Sequence, residues 1–162
     1  MKKTRFITHA AMIAALYVAL TAVSNAFGLA SRDIQVRISE ALTILPFFTP
    51  AAIPGLFLGC IISNWIFTGM IWDIIFGSIA TLIGAVGTYL LRNKKHIFAV
   101  IPPILSNMII VPFVLRYAYG IPGSIPYFML TVGAGEVISC GILGYILLKA
   151  LESHRDIFYL EP

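Results

Sequence analysis

Charge is what this sequence most lacks. Eleven Lys and Arg and seven Asp and Glu make up 11% of 162 residues, against about 25% in soluble domains. That deficit excludes a water-facing surface and fits one bathed in hydrocarbon. Cysteine is nearly absent. Cys60 and Cys140 each lie in an apolar run with no CxxC and no His at ligand spacing, so both read as small hydrophobes rather than a disulfide or metal framework. There is no HExxH and no phosphate-cradling glycine loop. His9, His96 and His154 sit at the edges of apolar runs, and Ser, His and Asp do not gather on facing segments. No enzyme signature stands out, no cofactor is implied, and ATP-driven work would need a partner. The Lys and Arg residues form no single face, which argues against nucleic acid.

What is present is apolar sequence, 59% of the chain. It divides into six segments: 5–27, 38–48, 53–67, 72–91, 97–117 and 126–151. The first follows Lys2, Lys3 and Arg5 and resembles a signal peptide, but it is of spanning length and reads as a retained helix. The second is too short for the about 20 residues a span needs. It reads as partly re-entrant, or as continuing through the turn at Pro50 and Pro54. Irregular backbone at membrane depth is tolerated where protein buries it or where it lines a cavity, so a cavity is expected nearby. Pro102, Pro103 and Pro112 predict a kink in the fifth. The expectation is an all-α integral membrane protein of about six transmembrane helices, folded as one domain over 1–162.

Basic clusters at Lys2/Lys3/Arg5, Arg92/Lys94/Lys95 and Lys149/Arg155 fall on one side if there are six spans. The positive-inside bias makes that side the cytoplasm, with both termini inside. Five spans would put the last cluster outside.

Polar residues within the spans are costly in lipid and usually face a cavity or partner. Glu136 lies about 15 Å into the last helix, and Asn107 is at similar depth in the preceding one. Arg37, Glu40, Asn64, Asp73, Trp72 and Arg116 converge on the outer half. Each outer residue has a plainer reading. Arg37 and Glu40, at i,i+3, could form an ion pair at a helix end. Asp73 could cap a helix, and Trp65 and Trp72 could be interfacial anchors. In the first helix Ala10/Ala14, Ala11/Ala15 and Ala15/Ala19 are i,i+4 pairs, a smooth stripe for close helix approach.

The block Val36-Arg37-Ile38-Ser39-Glu40-Ala41-Leu42, continued by Leu45 through Leu56, resembles the queuosine-precursor transporter family. These are substrate-binding S components of energy-coupling factor (ECF) transporters. Asp73 through Ser78, Ala80-Thr81-Leu82, Pro102-Pro103 with Asn107, and Gly133 through Glu136 are similar to it as well. The resemblance covers nearly the whole chain; its central block is specific and the small-residue pairs are not. It implies an S-component-like bundle in the plasma membrane with a ligand pocket opening outward. It also implies a T component and two ATPase subunits as partners, with ATP used by those subunits. An alanine pair, Ala11/Ala15 or Ala10/Ala14, would dock on the T component. The implied cargo is a 7-deazaguanine such as preQ0 or preQ1. Glu136 or Glu40 could accept its adjacent N–H groups, Asn107 or Asn64 could satisfy its carbonyl, and an indole or Tyr117 could stack on its ring. Asp73 would suit a cationic aminomethyl group. The alternatives are an S component for another vitamin-like ligand, an intramembrane enzyme using Glu136 with Asp73 or Glu40, and a small oligomeric channel.

Overall fold

A computed structural model describes residues 2–29 and 35–154; Arg155, counted in the last basic cluster, lies outside the described residues. Helix α1 is Lys2–Ala26. A ten-residue 3-10 segment, Ile38–Phe47, follows, then α2, Ala52–Phe67. The remaining rods are α3 (Asp73–Leu90), α4 (His96–Ala118) and α5 (Ile125–Glu152). The six segments expected from hydropathy are therefore all present. Four are long and apolar enough to cross a membrane, while Ile38–Phe47 and Ala52–Phe67 are shorter. Large apolar side chains such as Leu58, Leu90, Leu130 and Ile146 stand exposed along the flanks, where lipid is their solvent.

The short segment is the centre of the bundle. Ser39 through Phe47 are all buried, and it touches α1, α2, α3 and α5. Its upper end is pinned to α1, where Ile38 N–H donates to Ser24 Oγ at 2.9 Å and Thr21 Oγ1 bonds Ser39 Oγ at 2.9 Å. Its lower end turns at Thr49–Ala51, with Thr49, Ala51 and Ala52 fully buried. There α2 starts beside Ala10, so the segment covers only the 14 residues of α1 between Ala10 and Ser24, about 21 Å. Pro50, at the tip of the turn, is exposed, and Phe47 just before it packs on the His96 ring at 5.3 Å, so the lower end of the segment lies beside the basic end of the bundle.

Because α2 restarts at that depth, it runs parallel to α1 and packs on it closely. A Cβ added at Gly55 would stand 2.7 Å from the Ala10 carbonyl oxygen, and one at Gly59 would stand 2.8 Å from Tyr17 Cβ. Ala10, Ala14, Tyr17, Thr21 and Ser24, at alternating spacings of four and three, form the buried face of α1. The α3–α4 contact uses the same device: Gly84 and Gly87 meet Pro103 and Pro102. These prolines lie in the first turn of the α-helical part of α4, where no helical N–H is lost. The expected proline effect appears further on. After Pro112 the helix widens to π geometry over Val114–Ala118, a usual site of bending. Similar π turns occur at Asp73–Gly77 and Val137–Gly144.

Exposed Lys3, Arg5, Arg92, Lys94, Lys95 and Lys149 share one face of the bundle, where His96 Nε2 meets Glu152 Oε1 at 3.1 Å. The turns at Gly28, Gly69 and Gly120, each with φ near +64°, mark the opposite, far face. Gly59→Ala is expected to lower stability by about 1–3 kcal/mol through overpacking, read as a reduced thermal unfolding midpoint in detergent.

Candidate functional site

A polar cavity of about 300 Å³ enters from the far face between α1, α2, α3 and the end of α4; Thr21, Asn25, Gln35, Arg37, Asn64, Thr68, Asp73 and Tyr119 are among its walls. Beneath it is a floor cleft of about 30 Å³, where Glu40, Asn107, Thr81 and Glu136 join Gln35, Arg37 and Asp73. A larger groove of about 660 Å³ runs down the lipid-facing side between Trp72, Phe76, Ile109, Phe113 and Tyr117. Its walls are aliphatic and aromatic, so the polar cavity is the one equipped for chemistry.

Arg37 reaches this place because the chain is extended just before the central segment. Its guanidinium lies 3.8 Å from Asp73 Oδ2 and 3.4 Å from Asn64 Oδ1, and its backbone N–H donates to Ser139 Oγ at 3.1 Å. Arg37 therefore pairs with Asp73 on α3, and not with Glu40 as the i,i+3 spacing suggested. Asn64 Nδ2 donates to the Asp73 carbonyl oxygen at 3.0 Å, and Tyr119 O–H approaches Asp73 Oδ2 at 3.4 Å. Glu40 is 2% exposed. Tyr17 O–H donates to its Oε1, while Oε2 is buried without a partner. Glu136 Oε2 and Asn107 Nδ2 are likewise buried and unpartnered, and the Asn107 amide stands beside both carboxylates. Asn107 is 11 residues from each end of α4, close to mid-membrane as expected. Orphaned acceptors and a donor at such depth are costly unless something fills the gap between them.

Six of the seven expected ligand-site residues, Glu136, Glu40, Asn107, Asp73, Asn64 and Arg37, thus line one connected space. Trp72 does not. It is half exposed, stacked on Phe76 with centroids 5.9 Å apart, and lines the lipid-side groove. A helix turns about 100° per residue, so with Asp73 facing inward its neighbour cannot. Trp65, next to inward Asn64, is exposed for the same reason, as are Tyr117 and Arg116, whose guanidinium bonds the Ile121 carbonyl oxygen. The aromatic side chains at the cavity are instead Tyr17, Phe67 and Tyr119. Tyr17 was legible in principle, since it continues the four–three spacing of Ala10 and Ala14. Those two alanines are buried against the α2 glycines; Ala11 and Ala15 remain on the surface.

A helical bundle with lipid-facing flanks and a polar cavity entered from one face has the architecture of a multi-pass membrane protein. The chain belongs to the QueT transporter family, which matches over residues 7–153. It is 39% identical over 82 residues to the queuosine precursor transporter QueT of Lactococcus lactis subsp. cremoris (strain MG1363). That stretch covers 50% of this chain and 47% of the relative, so the match spans about half of each. The family is one of transporters and not of enzymes. No solved structure matches the chain.

Removing Arg37 leaves the buried Asp73 carboxylate without its cation at the wall of the cavity. Arg37→Ala is expected to cost about 1–3 kcal/mol. The double variant Arg37→Met/Asp73→Leu should cost less than that single change, measured by thermal unfolding of the purified protein.

Proposed function

We propose that this protein is the substrate-capture (S) subunit of an ECF-type importer and that its cargo is a 7-deazaguanine queuosine precursor. The observation that carries the reading is the floor of the cavity: two carboxylates and an amide, each with an unpartnered buried atom, beneath an open polar chamber. A guanine-type edge presents a carbonyl beside two N–H donors. Asn107 supplies a donor for the carbonyl, and a carboxylate beside it accepts from the N–H pair. Such charge-assisted bonds are strong away from water. The chamber of about 300 Å³ suits a bicyclic ring, and Tyr119 or Phe67 at its wall offers a stacking surface worth about 1–3 kcal/mol. The curated relative bears the name of a queuosine precursor transporter, which agrees with this chemistry.

In this reading the basic face is cytoplasmic, both termini lie inside, and the cavity opens outward across the plasma membrane. A T component and two ATPase subunits supply the energy, and Ala11 and Ala15, exposed on α1, form the smooth strip on which the T component docks. Calorimetric titration of the detergent-solubilised chain with preQ0, preQ1 and guanine, beside riboflavin and biotin, tests the cargo. Binding of a 7-deazaguanine but not the vitamins is expected, and Glu136→Ala should weaken it at least about tenfold, the loss of one charge-assisted hydrogen bond. Silence from all three purine-like ligands with the protein folded would sink the cargo assignment.

A further inference from the structure

The charges lining the cavity do not balance. Arg37 is the single cation among the described residues lining either chamber, and Glu40, Asp73 and Glu136 face it. Arg37 is already engaged with Asp73 and Asn64. Glu40 and Glu136 have no cation within ion-pairing distance among the described residues. The neutral Tyr17 O–H donates to Glu40, and the uncharged Asn107 amide stands beside both carboxylates. A largely buried floor with this surplus, reached through the polar chamber, favours a ligand that brings positive charge with it.

The two carboxylates also differ in what surrounds them. Glu136 has a buried, open Oε2, and Asn107 is the neutral side chain beside it. Glu40 has one oxygen taken by Tyr17 and one buried and open. A bidentate N–H pair needs two oxygens, whereas an ammonium, a point charge, needs only one. In a 7-deazaguanine the substituent at C7 and the N1–H lie on opposite sides of the ring carbonyl. An amide donor with two carboxylates beside it offers a partner to each of these three groups.

Resting on the 7-deazaguanine reading above, we propose that the site selects precursors with a protonated amine at the C7 substituent. Glu136 reads the guanine edge, Asn107 reads the carbonyl, and Glu40, held by Tyr17, is the specificity residue that pairs with the ammonium.

The test is calorimetric titration with preQ1, which carries an aminomethyl cation, and preQ0, which carries a neutral nitrile. Wild type, Glu40→Gln and Glu136→Gln are compared, each checked for folding by thermal unfolding. Wild type is expected to favour preQ1 by at least about tenfold, the gain from a charge-assisted hydrogen bond over a neutral one. Glu40→Gln should bring that ratio close to one, whatever it does to absolute affinity. Glu136→Gln should weaken both ligands together and preserve the ratio. The wild-type ratio decides the charge argument even if a variant fails to fold. Equal or tighter binding of preQ0 by wild type overturns the selection for a cation while leaving a 7-deazaguanine as cargo. A ratio that collapses in Glu136→Gln but survives Glu40→Gln overturns the role given to Glu40. Failure of both ligands and guanine to bind folded protein overturns this inference together with the reading it rests on.

Discussion

The structure depends on one constraint, that charge held away from water must be compensated where it stands. Arg37, Glu40, Asp73 and Glu136 come from three different rods and meet in a space of a few tens of cubic ångströms. Asp73 and Glu40 are almost fully buried, while Arg37 keeps 22% of its side chain open to the cavity above. Arg37 is tied three ways, to Asp73, Asn64 and Ser139. Asn64 in turn holds the Asp73 backbone, so α2 and α3 are positioned by the same polar cluster that forms the cavity wall. Loss of the ion pair would therefore disturb helix placement as well as ligand contacts.

The central 3-10 segment is the structural answer to that constraint. A full-length α-helix here would carry its polar residues across the whole bilayer. A ten-residue segment buried on all sides can place Arg37 and Glu40 one turn apart at the floor of a cavity, with its backbone ends satisfied by Ser24, Ser139 and neighbouring carbonyls. The shortness has a second effect. The chain turns back at Thr49–Ala51, so α2 runs beside α1 in the same direction, and only glycine at 55 and 59 allows the contact. The cavity is the space left above this arrangement.

Much of this was legible in the residues, and what was missed has a common cause. Hydropathy located all six rods, and polarity at depth singled out Glu136 and Asn107, because an amide or carboxylate at mid-membrane has few places to go. Direction around each helix was less legible. Trp72 and Trp65 adjoin inward-facing Asp73 and Asn64, and adjacency in sequence puts neighbours on different faces of a helix. The Arg37–Asp73 pair is a long-range contact across two rods, whereas sequence spacing alone suggests only the local partner, Glu40. Tyr17 is the more instructive miss. An aromatic residue in an apolar helix looks like any other, and only its register with Ala10 and Ala14 shows that its hydroxyl faces inward.

The π turns bear on why these helices can serve a cavity at all. An α-helix offers an inward position every three to four residues, which fixes where polar groups can fall. Widened turns stand at Asp73–Gly77 and Val137–Gly144, and Asp73 and Gly77, four residues apart, both face the floor. After Glu136, Ser139 and Cys140 both reach the central segment, bonding Arg37 N–H and meeting Thr43 Oγ1 at 3.1 Å. Glycine at 77 is part of the same solution, since a Cβ there would stand 2.9 Å from Asn64 Nδ2 and 3.3 Å from Asp73 Oδ1. Of the polar residues gathered here, Asp73 begins a π turn and Glu136 immediately precedes one, while Asn64 and Asn107 project from regular α-helical turns, whose backbone groups are paired within the helix as a membrane requires.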